Sequence, residues 1–217
     1  DLKNAVNAGA KMARIATHVT EADIGAQHIS YSRELGLKTA GFLMMAHMAP
    51  TSVIVEQAKL FESYGAEIVY VTDSAGFLLP NQVTERIQAL KENIGCEIGF
   101  HAHNNMSLAM ANSLAAIEAG ATYIDGSLRA LGAGSGNTQT EVLVAVLQRM
   151  GIQTGVDLYN IIDVANEIVA PILPRPQEIS GSSLIMGYAG VYSSFLLHTE
   201  KASKQFGVDE RDILVEL

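Results

Sequence analysis

Two spacings of apolar residues alternate along the chain. Continuous apolar runs of strand length fall at Met12–Thr17, Thr39–Ala46, Ile68–Thr72, Ile98–His103 and Tyr123–Gly126. Their Val, Ile, Phe and Tyr content, with little internal charge, suits strands buried on both faces. Between and after them, Glu21–Leu35, Pro50–Tyr64, Pro80–Asn93, Ser107–Ala119 and Thr138–Met150 carry apolar residues at three- and four-residue steps, the period of an amphipathic helix. Gly36, Gly65, Gly95, Gly120 and Gly151 follow these stretches and are expected to close the helices in the left-handed conformation. Pro50 and Pro80 suit first helical turns. Strand starts recur about every 25 to 30 residues, the length of a βα unit with its crossover helix. Such units build parallel sheets with right-handed connections. Two α/β architectures fit: an open doubly wound sheet, or part of a (β/α)8 TIM barrel, which when complete takes eight units and about 250 residues.

The pattern changes after Gly151. Val156–Val169 reads as helix, Pro171, Pro174 and Pro176 interrupt the chain, and Ser182–Leu197 and Thr199–Phe206 return to helical periodicity. Asp209–Leu217 begins another helix, and at the other end Asp1–Val6 reads as part of an amphipathic helix, not a signal peptide. The expected division is therefore a βα array over 1–151 and a helical region over 152–217. A net charge of −9 argues against nucleic acid as partner, because phosphate binding needs clustered Lys and Arg. Trp is absent and aromatics are only 6% of the chain, so base stacking has little support. No stretch approaches about 18 uninterrupted apolar residues, so no membrane span is expected and a cytoplasmic protein is. The one cysteine, Cys96, reads as a small buried hydrophobe in preference to a nucleophile.

Ligands of parallel sheets bind at the C-terminal ends of the strands. Four of the six histidines lie at those ends: His18, His47, His101 and His103. The last two form the sharpest signal, because residues i and i+2 of a strand project to one face and two imidazoles there can converge on a divalent metal. A metal site also needs at least one carboxylate. Asp73 and Ser74 end another strand. Asp73 reads as a metal ligand or a residue that orients a histidine, and Ser74 as a donor to a substrate carboxylate; helix capping by ordinary loop residues before Pro80 is an equal alternative. The glycine-rich run Gly132–Asn137 reads either as an anion cradle or as a tight turn, and it lacks dinucleotide-binding spacing. Met44, Met45 and Met48 suit packing, His28 a helix surface, and Tyr188 and Tyr192 one turn of a helix. No lysine occupies a strand tip, since Lys11 and Lys38 precede their strands, which disfavours Schiff-base chemistry.

Taken together, Ala13–His18, Gly41–His47, Asp73–Gly76, His101–Asn105, Gly132–Asn137 and Gly187–Phe195 resemble the 4-hydroxy-2-oxovalerate aldolases. These belong to the metallolyase TIM-barrel superfamily with HMG-CoA lyase and isopropylmalate synthase. The resemblance covers essentially the whole chain. It implies a carbon–carbon lyase of aromatic meta-cleavage catabolism that splits 4-hydroxy-2-oxovalerate into pyruvate and acetaldehyde. It implies a divalent cation held by His101 and His103, manganese or else magnesium or cobalt, and a catalytic, substrate-contacting Tyr192. Ser74 and His101 are expected to contact the 2-keto acid as well. It further implies a heterotetramer with an acylating acetaldehyde dehydrogenase, contacted through the helical C-terminal region. The five strands here match the fourth to eighth of the barrel. The third metal ligand, an Asp, is expected upstream of residue 1, and without it the isolated chain is expected to be inactive. Two positions depart from the family pattern: Asn104 stands where a second consecutive His is usual, and Ala75 where the turn usually has Gly. The alternatives are a Claisen-type enzyme of the same superfamily acting on acyl-CoA, and an inactive fragment that only docks the dehydrogenase.

Overall fold

The computed structural model describes residues 1–217. Five strands, β1 (Met12–His18), β2 (Lys38–Met44), β3 (Ile68–Asp73), β4 (Glu97–Ala102) and β5 (Tyr123–Ile124), form one sheet in chain order. The pairing is parallel, with Met12 opposite Lys38, Ala40 opposite Ile68 and Gly99 opposite Tyr123. A doubly wound sheet reverses its strand order at a switch point, whereas a barrel wall adds each new strand beside the last. The observed order is that of a barrel wall.

Contacts divide the chain into two compact units. The first comprises Asp1–Ser74, Leu78–His101 and Leu114–Ile124, and the second Ala75–Phe77, Ala102–Ser113 and Asp125–Leu217. In the first unit, the helices α1 (Leu2–Asn7), α2 (Ala26–Glu34), α3 (Thr51–Ser63) and α4 (Pro80–Asn93) alternate with the strands. The continuous apolar runs have a clear origin here. On one face of the sheet Ala40, Phe42, Ile68 and Tyr70 are buried together, with Met12 and Tyr123 packed on them. The Phe42 and Tyr70 rings stack at 4.2 Å, and the Arg14 guanidinium lies 4.0 Å above the Phe42 ring. On the other face Phe61 of α3 occupies the space a side chain at Gly41 would fill.

Element ends depart from expectation where a local hydrogen bond or backbone twist intervenes. The expected helix over Glu21–Leu35 opens as a 3-10 turn at Ala22–Gly25 before α2 begins. Strand β2 stops at Met44, because Met45 takes a left-handed conformation (φ 58°) and a 3-10 turn follows at Ala46–Met48. Gly36, Gly65, Gly120 and Gly151 have the positive φ expected of helix closures, but Gly95 does not. Helix α4 instead leaves through an extended Ile94, and the N–H groups of Gly95 and Cys96 donate to the Glu62 carboxylate.

The second unit holds α6 (Thr140–Arg149), α7 (Leu158–Val164), α8 (Gly181–Ala189), α9 (Leu196–Phe206) and α10 (Glu210–Glu216), while α5 (Ala109–Ala119) is shared by the two units. Helix α7 continues as a π-turn at Ala165–Val169. The expected single helix over Ser182–Leu197 is two helices. Gly190 (φ 74°) closes α8, and a 3-10 turn at Ser193–Phe195 leads into α9. Met186, Val191 and Leu196 bury with Leu214 in one cluster although Gly190 breaks the helix between them. Asp209 caps α10 by accepting from the Arg211 N–H, and the Arg211 guanidinium beside it holds the Asp209 carboxyl down at about 2.

The contact at Gly41 sets an expectation for stability. A Cβ there would stand 2.3 Å from the buried Phe61 ring, well inside contact distance. Gly41→Ala is expected to cost about 1–3 kcal/mol, the usual penalty of overpacking a filled core. Urea unfolding checks it as a lower midpoint at unchanged slope.

Candidate functional site

Strand β4 presents its histidines through simple alternation. Phe100 and Ala102 are buried, while His101 and His103 on either side of Ala102 are partly exposed. The backbone remains extended through His103, which forms an isolated antiparallel bridge with Asn137. The period of two therefore puts both residues on the face opposite Phe100 and Ala102. Within the first unit, the His101 ring meets the Phe42 ring edge to face at 6.4 Å, so the aromatic layer beneath it limits how it can turn. The chain brings no three His, Cys, Asp or Glu side chains together as a complete set.

The neighbouring strand tips differ in role. Asp73 is fully buried and accepts from the Leu78 N–H at 3.2 Å, which closes the loop after β3. Its charge also supports Arg86 of α4, whose guanidinium burial drives the pKa down. Arg86 in turn donates toward the carbonyls of Ala46 and Ala49. These contacts hold the loop after β3 and do not cap a helix, since Leu78 precedes Leu79, the N-cap of α4. Ser74 Oγ accepts from the Met45 N–H at 3.0 Å, holding the twisted end of β2. Ser74 and His101 belong to the first compact unit, His103 and Tyr192 to the second. Tyr192 is half-buried and starts the 3-10 turn after α8, whereas Tyr188 is 68% exposed on α8 itself. The two tyrosines do not share a helix, because Gly190 separates them.

The glycine-rich loop is a turn held by backbone bonds and by the Asn105 side chain. Ser135, Gly136 and Asn137 N–H groups donate to Asn105 Oδ1, the Ala133 carbonyl and the Ala130 carbonyl respectively. Three successive donors are thus occupied from within the protein, which favours the turn over an anion cradle. Both departures from the family pattern find local reasons. Asn104 Oδ1 accepts from the Ala109 N–H at the start of α5, a capping role that an amide performs well. In the turn after β3 the left-handed residue is Gly76 (φ 65°), so Ala75 needs no glycine.

Sequence reasoning passed over Asn105, a fully buried residue bonded to three separate segments. Its signal was a second Asn just beyond a histidine-bearing strand, in a chain whose strand runs otherwise contain almost no amides.

The description "HMGL-like" belongs to the family model that matches residues 1–168. The chain belongs to the HMGL-like family. A second match, the DmpG-like communication domain, covers residues 177–217 of this HMGL-like chain. It is 71% identical over all 217 residues to a 4-hydroxy-2-oxovalerate aldolase of Geobacillus thermodenitrificans strain NG80-2, and 69% identical to one of Geobacillus stearothermophilus. In each case the chain spans 64% of the relative's length. Among solved structures, HMG-CoA lyase of Bacillus subtilis superposes with a TM-score of 0.73 at 24% identity, covering 80% of this chain and 68% of that one. The carboxyl transferase domain of Rhizobium etli pyruvate carboxylase superposes at 0.80 with 19% identity, over 97% of this chain and 37% of that one. At these identities the structural likeness shows the fold alone. No helix is long and apolar enough to cross a membrane.

Cys96 can be set aside as a nucleophile. Burial, helped by the Glu62 carboxylate, pushes its thiol up to about 11. At pH 8 it should react with a thiol reagent roughly a hundred-fold slower than a free cysteine, with the rate climbing about ten-fold per pH unit as thiolate forms. Stopped-flow alkylation across pH 7 to pH 10 would measure this, and a flat, fast profile would contradict it.

Proposed function

We propose that the full-length protein is a divalent-metal-dependent aldolase that cleaves 4-hydroxy-2-oxovalerate to pyruvate and acetaldehyde. The observation that carries this reading is the identity of all 217 residues, helical C-terminal region included, to proteins of that name at 59–71%. The paired imidazoles at the end of β4 supply the matching chemistry.

His101 and His103 would hold the divalent cation, manganese or else magnesium or cobalt. When bound, it supplies Lewis-acid stabilisation at the carboxylate and keto oxygens of the 2-keto acid. Cleavage breaks the bond between C3 and C4. The 4-hydroxyl proton leaves to a base, the C4 oxygen becomes the aldehyde carbonyl, and the electron pair passes to the keto-acid fragment. A proton delivered to C3 then completes the methyl group of pyruvate. The Tyr192 phenol positions the substrate or supplies that proton. Ser74, at the end of β3, contributes a hydroxyl toward the keto acid in addition to holding Met45. The partner is an acylating acetaldehyde dehydrogenase in a heterotetramer, and the communication-domain match at residues 177–217 supports that assignment.

The direct test is pyruvate release from 4-hydroxy-2-oxovalerate by the full-length protein with added manganese. His101→Ala and His103→Ala should each reduce kcat/KM by roughly a hundred-fold or more and weaken manganese binding in parallel, since removing even an outer partner of a metal ligand costs 10–100-fold. Unchanged metal-dependent turnover in either variant would remove those histidines from the site. A protein inert toward this substrate but active on an acyl-CoA would instead be a Claisen-type member of the superfamily.

A further inference from the structure

We infer that Asn105 is a positioning residue for Tyr192, acting through Ser193. This deepens the aldolase reading and rests on it. Asn105 lies two residues beyond His103 and has no exposed surface. Its amide Nδ2 donates to the Ala75 carbonyl at 2.9 Å and to Ser193 Oγ at 3.2 Å, while Oδ1 accepts from the Ser135 N–H at 2.9 Å. One side chain therefore joins the turn after β3, the glycine-rich loop and the segment that begins with Tyr192.

The amide's orientation is fixed by its partners. A carbonyl oxygen can only accept and a backbone N–H can only donate, so Ala75 demands the NH2 end and Ser135 demands the oxygen end. Asp at this position would set a carboxylate oxygen against the Ala75 carbonyl and bury a charge. Leu would leave a buried N–H and a buried carbonyl unpaired. The surroundings are shaped to the same residue. A Cβ at Gly134 would fall 2.4 Å from Asn105 Oδ1, and one at Gly187 would fall 2.9 Å from Asn105 Cβ. Backbone from the loop and from α8 approaches the amide closely because side chains are absent there.

The Ser193 bond bears on chemistry. Ser193 directly follows Tyr192, is itself buried, and lies in the 3-10 turn where the Phe195 N–H donates to the Tyr192 carbonyl. Anchoring its hydroxyl to Asn105 fixes the backbone from which the phenol projects. A displacement of about 1 Å in a reacting group can lower the rate by up to a hundred-fold without altering what the site binds.

A double-mutant cycle in the full-length protein tests this. Ser193→Ala removes the hydroxyl that Asn105 anchors and leaves the other two hydrogen bonds of Asn105 in place. It should lower kcat about ten-fold, with KM for 4-hydroxy-2-oxovalerate and the manganese dissociation constant unchanged within about two-fold. Combined with Tyr192→Phe, it should add almost nothing to the loss caused by Tyr192→Phe alone, because both act through the same phenol. Asn105→Ser, which shortens the amide and breaks all three bonds, should give a loss equally masked by Tyr192→Phe if it folds. Additive losses, or a Ser193→Ala enzyme with wild-type kcat, would overturn the positioning role while leaving the aldolase reading intact. A wild-type protein that releases no pyruvate would overturn both.

Discussion

The period of two along parallel strands is the constraint on which everything else in this chain depends. A strand in a barrel wall has no solvent face, so each residue must suit either the helix side or the inner side. Gly41 illustrates the helix side, where it admits the Phe61 ring, and Phe42 the inner side, where it stacks on Tyr70. The same alternation along β4 puts Phe100 and Ala102 on the helix side and His101 on the inner side, where its ring meets that of Phe42. Chemistry and packing are therefore written into the strand by one periodicity. A one-residue slip of β4 would exchange the two sets, setting the phenyl ring on the inner side and the imidazoles against the helices.

Much of this was legible in the sequence, because continuous apolar runs and three-four spacing are direct consequences of burial. Pro80–Asn93 forms a helix with the expected ends: Pro80 pre-sets its first turn and Gln82 Oε1 accepts from the Leu79 N–H just before it. The strand order, and with it the choice between a barrel wall and a doubly wound sheet, was not legible in the local pattern and came only from the family resemblance. Both architectures use the same local pattern and differ only in which edge accepts the next strand. Ends set by side-chain bonds were also hidden. Nothing near Gly95 announces that Glu62, 33 residues earlier, will capture its N–H and replace the left-handed closure.

The misreading of Ser182–Leu197 as one helix has a similar cause. Met186, Val191 and Leu196 are five residues apart at each step, and two helices bent at Gly190 bring them to the same cluster as Leu214. The apolar residues reported burial without reporting the bend. For the candidate site the residue types at the strand ends were readable, but their partners were not. Asp73 and Ser74 looked alike as loop polar groups. Only the fold shows one accepting from Leu78 and the other from Met45.

The polar interior of the second unit completes this logic. Ser135 Oγ donates to Ser183 Oγ at 2.7 Å, Ser183 in turn caps α8 through Ser180, and Asn105 bonds Ser135 and Ser193. An apolar core of equal volume would satisfy packing but would leave the loop and turn backbones, which have no helix or sheet partners, without acceptors and donors. Hydroxyls and one amide supply them in directions that apolar contacts cannot specify. Irregular backbone between α8 and α9 is what allows Tyr192 to start a turn instead of lying in a helix, and irregular backbone can be buried only where polar side chains close its hydrogen bonds. The buried network and the placement of Tyr192 are thus two aspects of one structural solution.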